Sequence, residues 1–146
     1  MLEFIIINTP SDVKNEVLQE RLKRAQGGRS QDFVAVLNGS ELAVLSYEDW
    51  SESSFGFVYE IFVLPNHRRQ GIGSALLSYA ENYAVKLGCT SVQLKANAFD
   101  RTVNKEWLAS WYKEKGYAPK ADDSETLEKV FEPLHWFESS ILMSGN

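Results

Sequence analysis

The spacing of apolar residues changes between residues 57 and 88 from a continuous run to a helical repeat. Phe57 to Pro65 is apolar or aromatic apart from Glu60, which is typical of a strand covered on both faces. Pro65 has no N–H to donate to a sheet, so we expect the strand to end there. From Ile72 onward, apolar residues recur at the i, i+3, i+4 and i+7 positions of a helix, and Gly88 is a stop signal. The pattern predicts a central strand, a turn and a central helix.

The residues before the central strand predict several strands and one helix. The opening strand is rich in isoleucine, and the helix begins with polar capping chemistry and runs to a glycine pair at 27 and 28. An Asn-Gly-Ser segment then joins two strands and is a hairpin signal. The predicted bounds are a strand at Leu2 to Asn8, a helix start at Thr9 to Asp12, strands at Asp32 to Leu37 and Glu41 to Tyr47, and a polar turn at Asp49 to Ser54.

The residues after the central helix continue the alternation. Ser91 to Ala98 has apolar residues at every second position, which predicts a strand with one buried face. Asn104 suits the N-cap of a helix that ends at Gly116. The remaining predicted elements are a short strand from Tyr117, one or two helical turns at Thr126 to Phe131, and a final strand at Trp136 to Met143. A chain of 146 residues with this alternation suits one α/β domain over residues 1–146.

Polar and glycine residues separate the central strand from the central helix. They are Arg68, Arg69, Gln70, Gly71, Ile72, Gly73 and Ser74. Glycines at a helix start let backbone N–H groups approach a ligand, and these groups have no partner inside the helix. They lie at the positive end of the helix dipole, and the paired arginines add charge beside it. The series predicts an anion site, above all for phosphate, rather than a solvated basic turn.

Composition and net charge limit the class of protein to which this chain belongs and the kinds of partner that it binds. Hydrophobic residues make up 44% of the chain and charged residues 24%, as in ordinary globular proteins, and no apolar run approaches the length of a membrane span. The start has no signal-peptide pattern, and the single cysteine excludes an internal disulfide, so we expect a cytoplasmic protein. Two distant histidines give no metal-ligand spacing. A net charge of −5 argues against nucleic acid and favours a cationic small molecule or a lysine-bearing protein.

The glycine segment does not fit two common phosphate loops. A P-loop needs a lysine after its second glycine, and a dinucleotide fold needs a third glycine where Leu76 stands. The segment instead resembles the pyrophosphate loop of the GNAT superfamily of N-acetyltransferases, written Arg/Gln-x-x-Gly-x-Gly/Ala. Arg68 to Gly73 matches this pattern at each defined position, and Val63 with Pro65 matches the usual end of the preceding strand.

The order of predicted elements is also similar to the GNAT order over nearly the whole chain. The resemblance implies an α/β fold with a mixed sheet of six or seven strands, helices on both faces and splayed central strands. Acetyl-CoA would lie in the splay, with its pyrophosphate on Gly71 to Ser74 and its pantetheine along the central strand. The residues that the resemblance assigns to acetyl-CoA are Phe62, Val63, Arg68, Arg69, Gln70, Gly71, Ile72, Gly73, Ser74 and Asn104, with Asn97 as the competitor of Asn104.

A second resemblance concerns Tyr112, which lies four residues before the Gly116 and Tyr117 pair. In GNAT enzymes a tyrosine at this position is the usual general acid that protonates the leaving thiolate. A thiol of pKa about 8.5 leaves more easily when a hydroxyl donates to it. The alternative is that Tyr112 is one more packed aromatic on a helix face that also carries Trp107 and Trp111.

Glu60 is the candidate general base for amine attack. Deprotonating a lysine-like amine at pH 7 costs about 4.6 kcal/mol, so a base helps substantially. Glu60 is the one ionisable group in the central strand, three residues before Val63, where GNAT enzymes often have a carboxylate that acts directly or through water. The alternative is a structural ion pair with an arginine or lysine across the sheet.

The resemblance implies an N-acetyltransferase that moves an acetyl group from acetyl-CoA directly to a primary amine of a small molecule or protein. Two alternatives remain open, which are a non-catalytic acyl-CoA binding or sensor module and an enzyme for a different acyl group. No metal is expected. The apolar Phe131 to Met143 segment could form a homodimer contact or be buried by a final strand.

Overall fold

The computed structural model describes residues 1–96 and 104–131 of the chain. It divides into a first unit, Met1–Lys95, and a second unit, Ala96–Asn146. The first contains β1 (Leu2–Ile7), α1 (Glu16–Arg24), β2 (Ser30–Leu37), β3 (Ser40–Trp50), β4 (Phe55–Val63), α2 (Ile72–Lys86) and β5 (Ser91–Lys95). The second contains α3 (Lys105–Glu114), β6 (Ala118–Pro119) and β7 (Thr126–Val130). The predicted mixed α/β fold, with seven strands in the described residues, is confirmed.

The sheet of the first unit has the order β1-β2-β3-β4-β5. Its first four strands are antiparallel neighbours, and β5 is parallel to β4. A parallel neighbour requires a crossover, which α2 provides. The predicted mixed sheet is therefore present within this unit alone.

Alternate residues of β2 point to opposite faces of the sheet. Phe33 meets α2, where its ring lies 5.0 Å from that of Tyr79 and 5.2 Å from that of Tyr83. Val34 packs with Leu18 and Leu22 of α1 in a buried cluster. Because side chains alternate along a strand, α1 and α2 cover opposite faces, as the sequence predicted.

The first helix begins later than its pattern suggested. Thr9 caps only a one-turn 3-10 helix, and α1 starts after Asn15, whose side chain accepts a hydrogen bond from the Leu18 amide at 3.1 Å. Glu41 of β3 accepts hydrogen bonds from the backbone amides of Lys14 and Asn15. A contact 26 residues away along the chain thus helps set the helix start, and local spacing could not show it.

The region between β3 and β4 was wrongly predicted as a polar turn from Asp49. Instead β3 continues through Trp50, whose ring stacks on Phe55 at 5.7 Å between centroids, and only a one-turn 3-10 helix at Ser51–Ser53 intervenes. The stacked aromatic pair extends the hairpin into the polar segment.

The pairing of β4 changes at Tyr59. Ser46 pairs with Glu60 and Tyr47 pairs with Val58, so Tyr59 is an extra residue that forms a β-bulge. The parallel pairing with β5 covers Phe55–Val58, the residues before this bulge. From the bulge to Val63, β4 keeps its register with β3. In the part of the chain that the structure describes, the pairing of β4 with β5 thus ends before the bulge.

In the second unit, one predicted helix is confirmed and one predicted helical segment is wrong. Asn104 caps α3 through hydrogen bonds from the amides of Glu106 and Trp107, at 2.8 and 3.0 Å. Thr126 to Phe131 was predicted to form helical turns, but Thr126–Val130 is strand β7 and pairs antiparallel with β6. Pairing with β6 outweighs the helix propensity of a Leu-Glu-Lys segment. The predicted strand at Trp136 to Met143, and Asn97, lie outside the described residues.

Candidate functional site

The phosphate loop, which we define as residues 68–74, lies between β4 and α2. A one-turn 3-10 helix at Pro65–His67 reverses the chain after β4. Arg69 and Gly71 then have φ angles of +64° and +80°, and α2 begins at Ile72. A φ of this sign is easy for glycine and uncommon for other residues. The loop therefore has two left-handed residues that turn the chain into the helix start.

The first turn of α2 has the features of an anion site. The N-cap residue, Gly71, has no side chain to cap the helix, and the first turn contains no acidic residue. The first hydrogen bond of the helix runs from the Ala75 amide to the Gly71 carbonyl at 3.0 Å. The amides of Gly73 and Ser74 precede that bond, at the positive end of a helix of 15 residues. Backbone donors without a competing carboxylate suit a phosphate group.

Arg68 is directed back along β4. Its Nε donates a hydrogen bond to the Val63 carbonyl at 2.9 Å, and its guanidinium carbon lies 5.4 Å from the centre of the Phe62 ring. Arg69 and Gln70 are exposed. Of these three side chains, all predicted to bind acetyl-CoA, Arg68 thus joins the phosphate loop to β4. Arg69 and Gln70 face solvent.

Glu60 is paired with a residue that the sequence analysis did not identify. Arg21 of α1 donates from Nη1 to Oε2 of Glu60 at 3.0 Å, and the two side chains are only 12% and 10% exposed. An ion pair of Glu60 with an arginine is therefore present, but the partner is on a helix and not across the sheet as expected. One signal could have indicated it, because Arg21 lies three residues after Leu18 on the buried side of the helix.

A second carboxylate, Asp32, lies on the same face of the sheet as Glu60. Asp32 pairs with Ser46, and Ser46 pairs with Glu60, so the three residues form a row across β2, β3 and β4. The Gln26 side chain donates to Asp32 at 2.6 Å, and within the described residues the other carboxylate oxygen has no hydrogen-bond partner. Burial raises the pKa of Asp32 to about 6. The sequence analysis treated Asp32 only as the start of a strand.

In the second unit, the proposed general acid is packed among aromatic residues. Tyr112 is 5% exposed, and its ring makes edge contacts with Trp111 at 5.1 Å and Tyr117 at 5.9 Å. The side-chain oxygen of Asn104 accepts the two cap hydrogen bonds of α3. Both residues therefore have a structural role in α3.

The single cysteine of the chain lies in the protein core. Cys89 is buried, and burial raises the pKa of its thiol, which disfavours a reactive thiolate. Over residues 1–96 and 104–131, no three His, Cys, Asp or Glu side chains come together in a way that could hold a metal ion. In the same part of the chain no helix is long and apolar enough to cross a bilayer.

Several solved structures share this fold. The IAA acetyltransferase of Bacillus cereus is 15% identical, with a TM-score of 0.68 over 90% of this chain and 100% of that chain. The ribosomal-protein-S18-alanine N-acetyltransferase of Escherichia coli is 19% identical, with a TM-score of 0.65 over 90% and 95% of the two chains. A GNAT family acetyltransferase from Elizabethkingia anophelis with acetyl-CoA bound is 12% identical, with a TM-score of 0.63 over 89% and 98%. At these identities the likeness shows the fold.

Sequence comparison identifies the family. No curated protein sequence gives a significant match. The family model described as the acetyltransferase (GNAT) family matches residues 5–117, which include β4, the phosphate loop and α2. Because this match spans most of the chain, the chain belongs to the acetyltransferase (GNAT) family.

Proposed function

We propose that this chain is an N-acetyltransferase that moves the acetyl group of acetyl-CoA to a primary amine. The observation that carries the proposal is the start of α2, where Gly71 has no capping side chain and the first turn has no acidic residue. Family membership makes acyl transfer the general expectation. The bound acetyl-CoA of the Elizabethkingia structure, which shares the fold, supports that cosubstrate.

The residues of the phosphate loop would hold the pyrophosphate of acetyl-CoA. Backbone amides of the Gly71 to Ser74 segment supply donors, and the exposed Arg69 supplies charge. Phe62 and Val63 lie in the part of β4 beyond its pairing with β5, where an extended pantetheine could pair like an added strand. Asn104 is the last of the residues proposed to bind acetyl-CoA. Acetyl-CoA, when bound, supplies the thioester that carries the acetyl group.

Glu60 is the proposed acceptor of the amine proton. Its position on β4, one residue after the bulge, lies beyond the segment that pairs with β5. Proton acceptance requires the ionised carboxylate, and the Arg21 guanidinium is a partner that suits this form. The net charge of −5 favours a cationic amine as the acceptor.

Tyr112 is the proposed donor of a proton to the departing thiolate. Its burial among Trp111 and Tyr117 restricts the ring to few orientations, which favours a defined direction for the hydroxyl. The backbone amides of β4 would polarise the thioester carbonyl. These three roles together describe direct transfer without a covalent enzyme intermediate.

A second candidate function is a non-catalytic acyl-CoA binding module. Two observations favour it, because the Glu60 carboxylate is already paired with Arg21 and the Tyr112 side chain already packs in α3. Such a module would keep the phosphate loop and bind acetyl-CoA without turnover. The two candidates therefore agree on binding and differ only in transfer.

Thermal unfolding with and without acetyl-CoA tests the proposal first. A ligand that binds only the folded state stabilises it by about 2.7 kcal/mol at 100 times its Kd, so we expect a clear rise in Tm. CoA should give a rise and ATP or NAD should not. Thiol release across a panel of polyamines, aminoglycosides, amino acids and lysine peptides then separates enzyme from module. Unchanged Tm at millimolar acetyl-CoA would refute both candidates.

A further inference from the structure

Arg21 contacts two residues of β4 that belong to the proposed site. Its Nη1 pairs with the Glu60 carboxylate at 3.0 Å, and its guanidinium carbon lies 4.3 Å from the centre of the Phe62 ring. Phe62 is 5% exposed and belongs to the same buried cluster as Leu18 and Leu22 of α1. The guanidinium thus lies at the edge of the core, with an anion and an aromatic face as its partners.

The same aromatic ring receives a second guanidinium from the phosphate loop. The Arg68 guanidinium carbon lies 5.4 Å from the Phe62 ring centre, and Arg68 Nε donates to the Val63 carbonyl. An arginine over a ring face constrains the orientation of that ring and of its own side chain. Phe62 therefore connects α1, through Arg21, to the first residue of the phosphate loop.

Only an arginine makes both contacts of residue 21 in the way observed. Its planar fork can donate to a carboxylate while its face stacks on a ring, whereas a lysine offers a compact point charge. Glu60 and Arg21 also depend on each other, because removal of Arg21 takes a charged partner from a buried carboxylate. The position of Arg21 is consequently fixed by two independent contacts.

We propose that Arg21 is a positioning residue of the acyl-CoA site. It holds the Glu60 carboxylate and the Phe62 ring in place, and through Phe62 it holds Arg68 and the start of the phosphate loop in the geometry that binds acetyl-CoA. This inference rests on the proposed function. It adds a residue of α1, which lies outside the loop pattern, to those that determine acetyl-CoA affinity.

The Kd of acetyl-CoA, measured by titration calorimetry on the full chain, tests the inference. We expect Arg21→Met to weaken binding about tenfold and Arg21→Lys to weaken it less, because lysine retains the charge next to Glu60. Arg24→Met is the matched control, since Arg24 is an exposed arginine of the same helix. It should leave the Kd unchanged.

A double-mutant cycle with Phe62 shows whether the effect passes through the ring. In a Phe62→Leu background, Arg21→Met should weaken binding by less than about twofold. A purely structural role of Arg21 would instead lower Tm in both backgrounds and leave the Kd as it was. Should Arg21→Met fail to fold, Arg21→Met with Glu60→Met removes both charges, and the same tenfold loss is expected there.

The outcomes separate the inference from the function on which it rests. No binding of acetyl-CoA by the wild-type chain would overturn both. Wild-type binding together with an unchanged Kd in Arg21→Met, or an equal loss in the Phe62→Leu background, would overturn the inference alone. The inference is supported if Arg21→Met weakens acetyl-CoA binding only in the chain that keeps Phe62, and if Arg21→Lys weakens it less.

Discussion

At the scale of single residues, Asp32 carries a titration that should be visible in the stability of the protein. Asp32 is 4% exposed, and burial raises the pKa of its carboxyl from 3.8 to about 6, against the hydrogen bond from Gln26 that lowers it. The folded state therefore binds this proton more tightly than the unfolded state does. The associated stability is fully present below about pH 4 and is lost as the pH rises through about 6.

Asp32→Asn removes this titration while keeping the side-chain shape. We expect the free energy of unfolding of the wild type to fall relative to the variant by on the order of 2 kcal/mol between about pH 4 and pH 7. Urea unfolding at several pH values measures the difference. Asp122→Asn, at a side chain that is 79% exposed, is the control. A difference that stays constant with pH would show that burial of Asp32 does not perturb its proton affinity.

At the scale of elements, the junction of the phosphate loop and α2 depends on the backbone angle of Gly71. Its φ is +80°, and a Cβ built there would meet no atom within 4 Å. Within the protein, a substitution at this position therefore meets backbone strain and no clash, and valine should resist this angle more than asparagine does. We expect Gly71→Val to weaken acetyl-CoA binding at least tenfold and Gly71→Asn to weaken it less.

Calorimetric titration of both Gly71 variants, with Tm as a check on folding, makes this comparison. Equal affinities for the valine and asparagine variants would show that the left-handed angle at Gly71 does not determine acetyl-CoA binding. The fold itself should survive in both, because the α2 core, with Leu76 and Leu77, lies beyond the first helical turn.

At the scale of the whole molecule, acetyl transfer as proposed uses the Tyr112 hydroxyl to protonate the departing thiolate. Tyr112→Phe keeps the ring that packs on Trp111 and Tyr117 and removes only the hydroxyl. We expect turnover to fall about 100-fold with the Kd of acetyl-CoA within about threefold of the wild type. Tyr117→Phe, in the same aromatic group, is the control.

Thiol release with the best amine of the panel measures the turnover of both tyrosine variants. Full activity in Tyr112→Phe would mean that Tyr112 is a packed aromatic residue and that another group protonates the thiolate. A similar loss in Tyr117→Phe would assign the effect to packing of α3 rather than to one hydroxyl.

The sequence by itself determined the features that depend on neighbouring residues. The end of β4 near Pro65, the start of α2 at Ile72 and the N-cap at Asn104 are as predicted, because proline, glycine and asparagine act on the backbone next to them. The pattern of the phosphate loop is equally local, and it pointed to the family whose model matches residues 5–117.

Only the tertiary structure decided the features that join distant parts of the chain. The Arg21–Glu60 pair spans 39 residues, the bulge at Tyr59 exists only as a shift of register against β3, and β7 forms by pairing with β6 against its local helix propensity. Strand partners and buried charges are selected by burial and by hydrogen bonds across the fold, which local spacing along the chain does not encode.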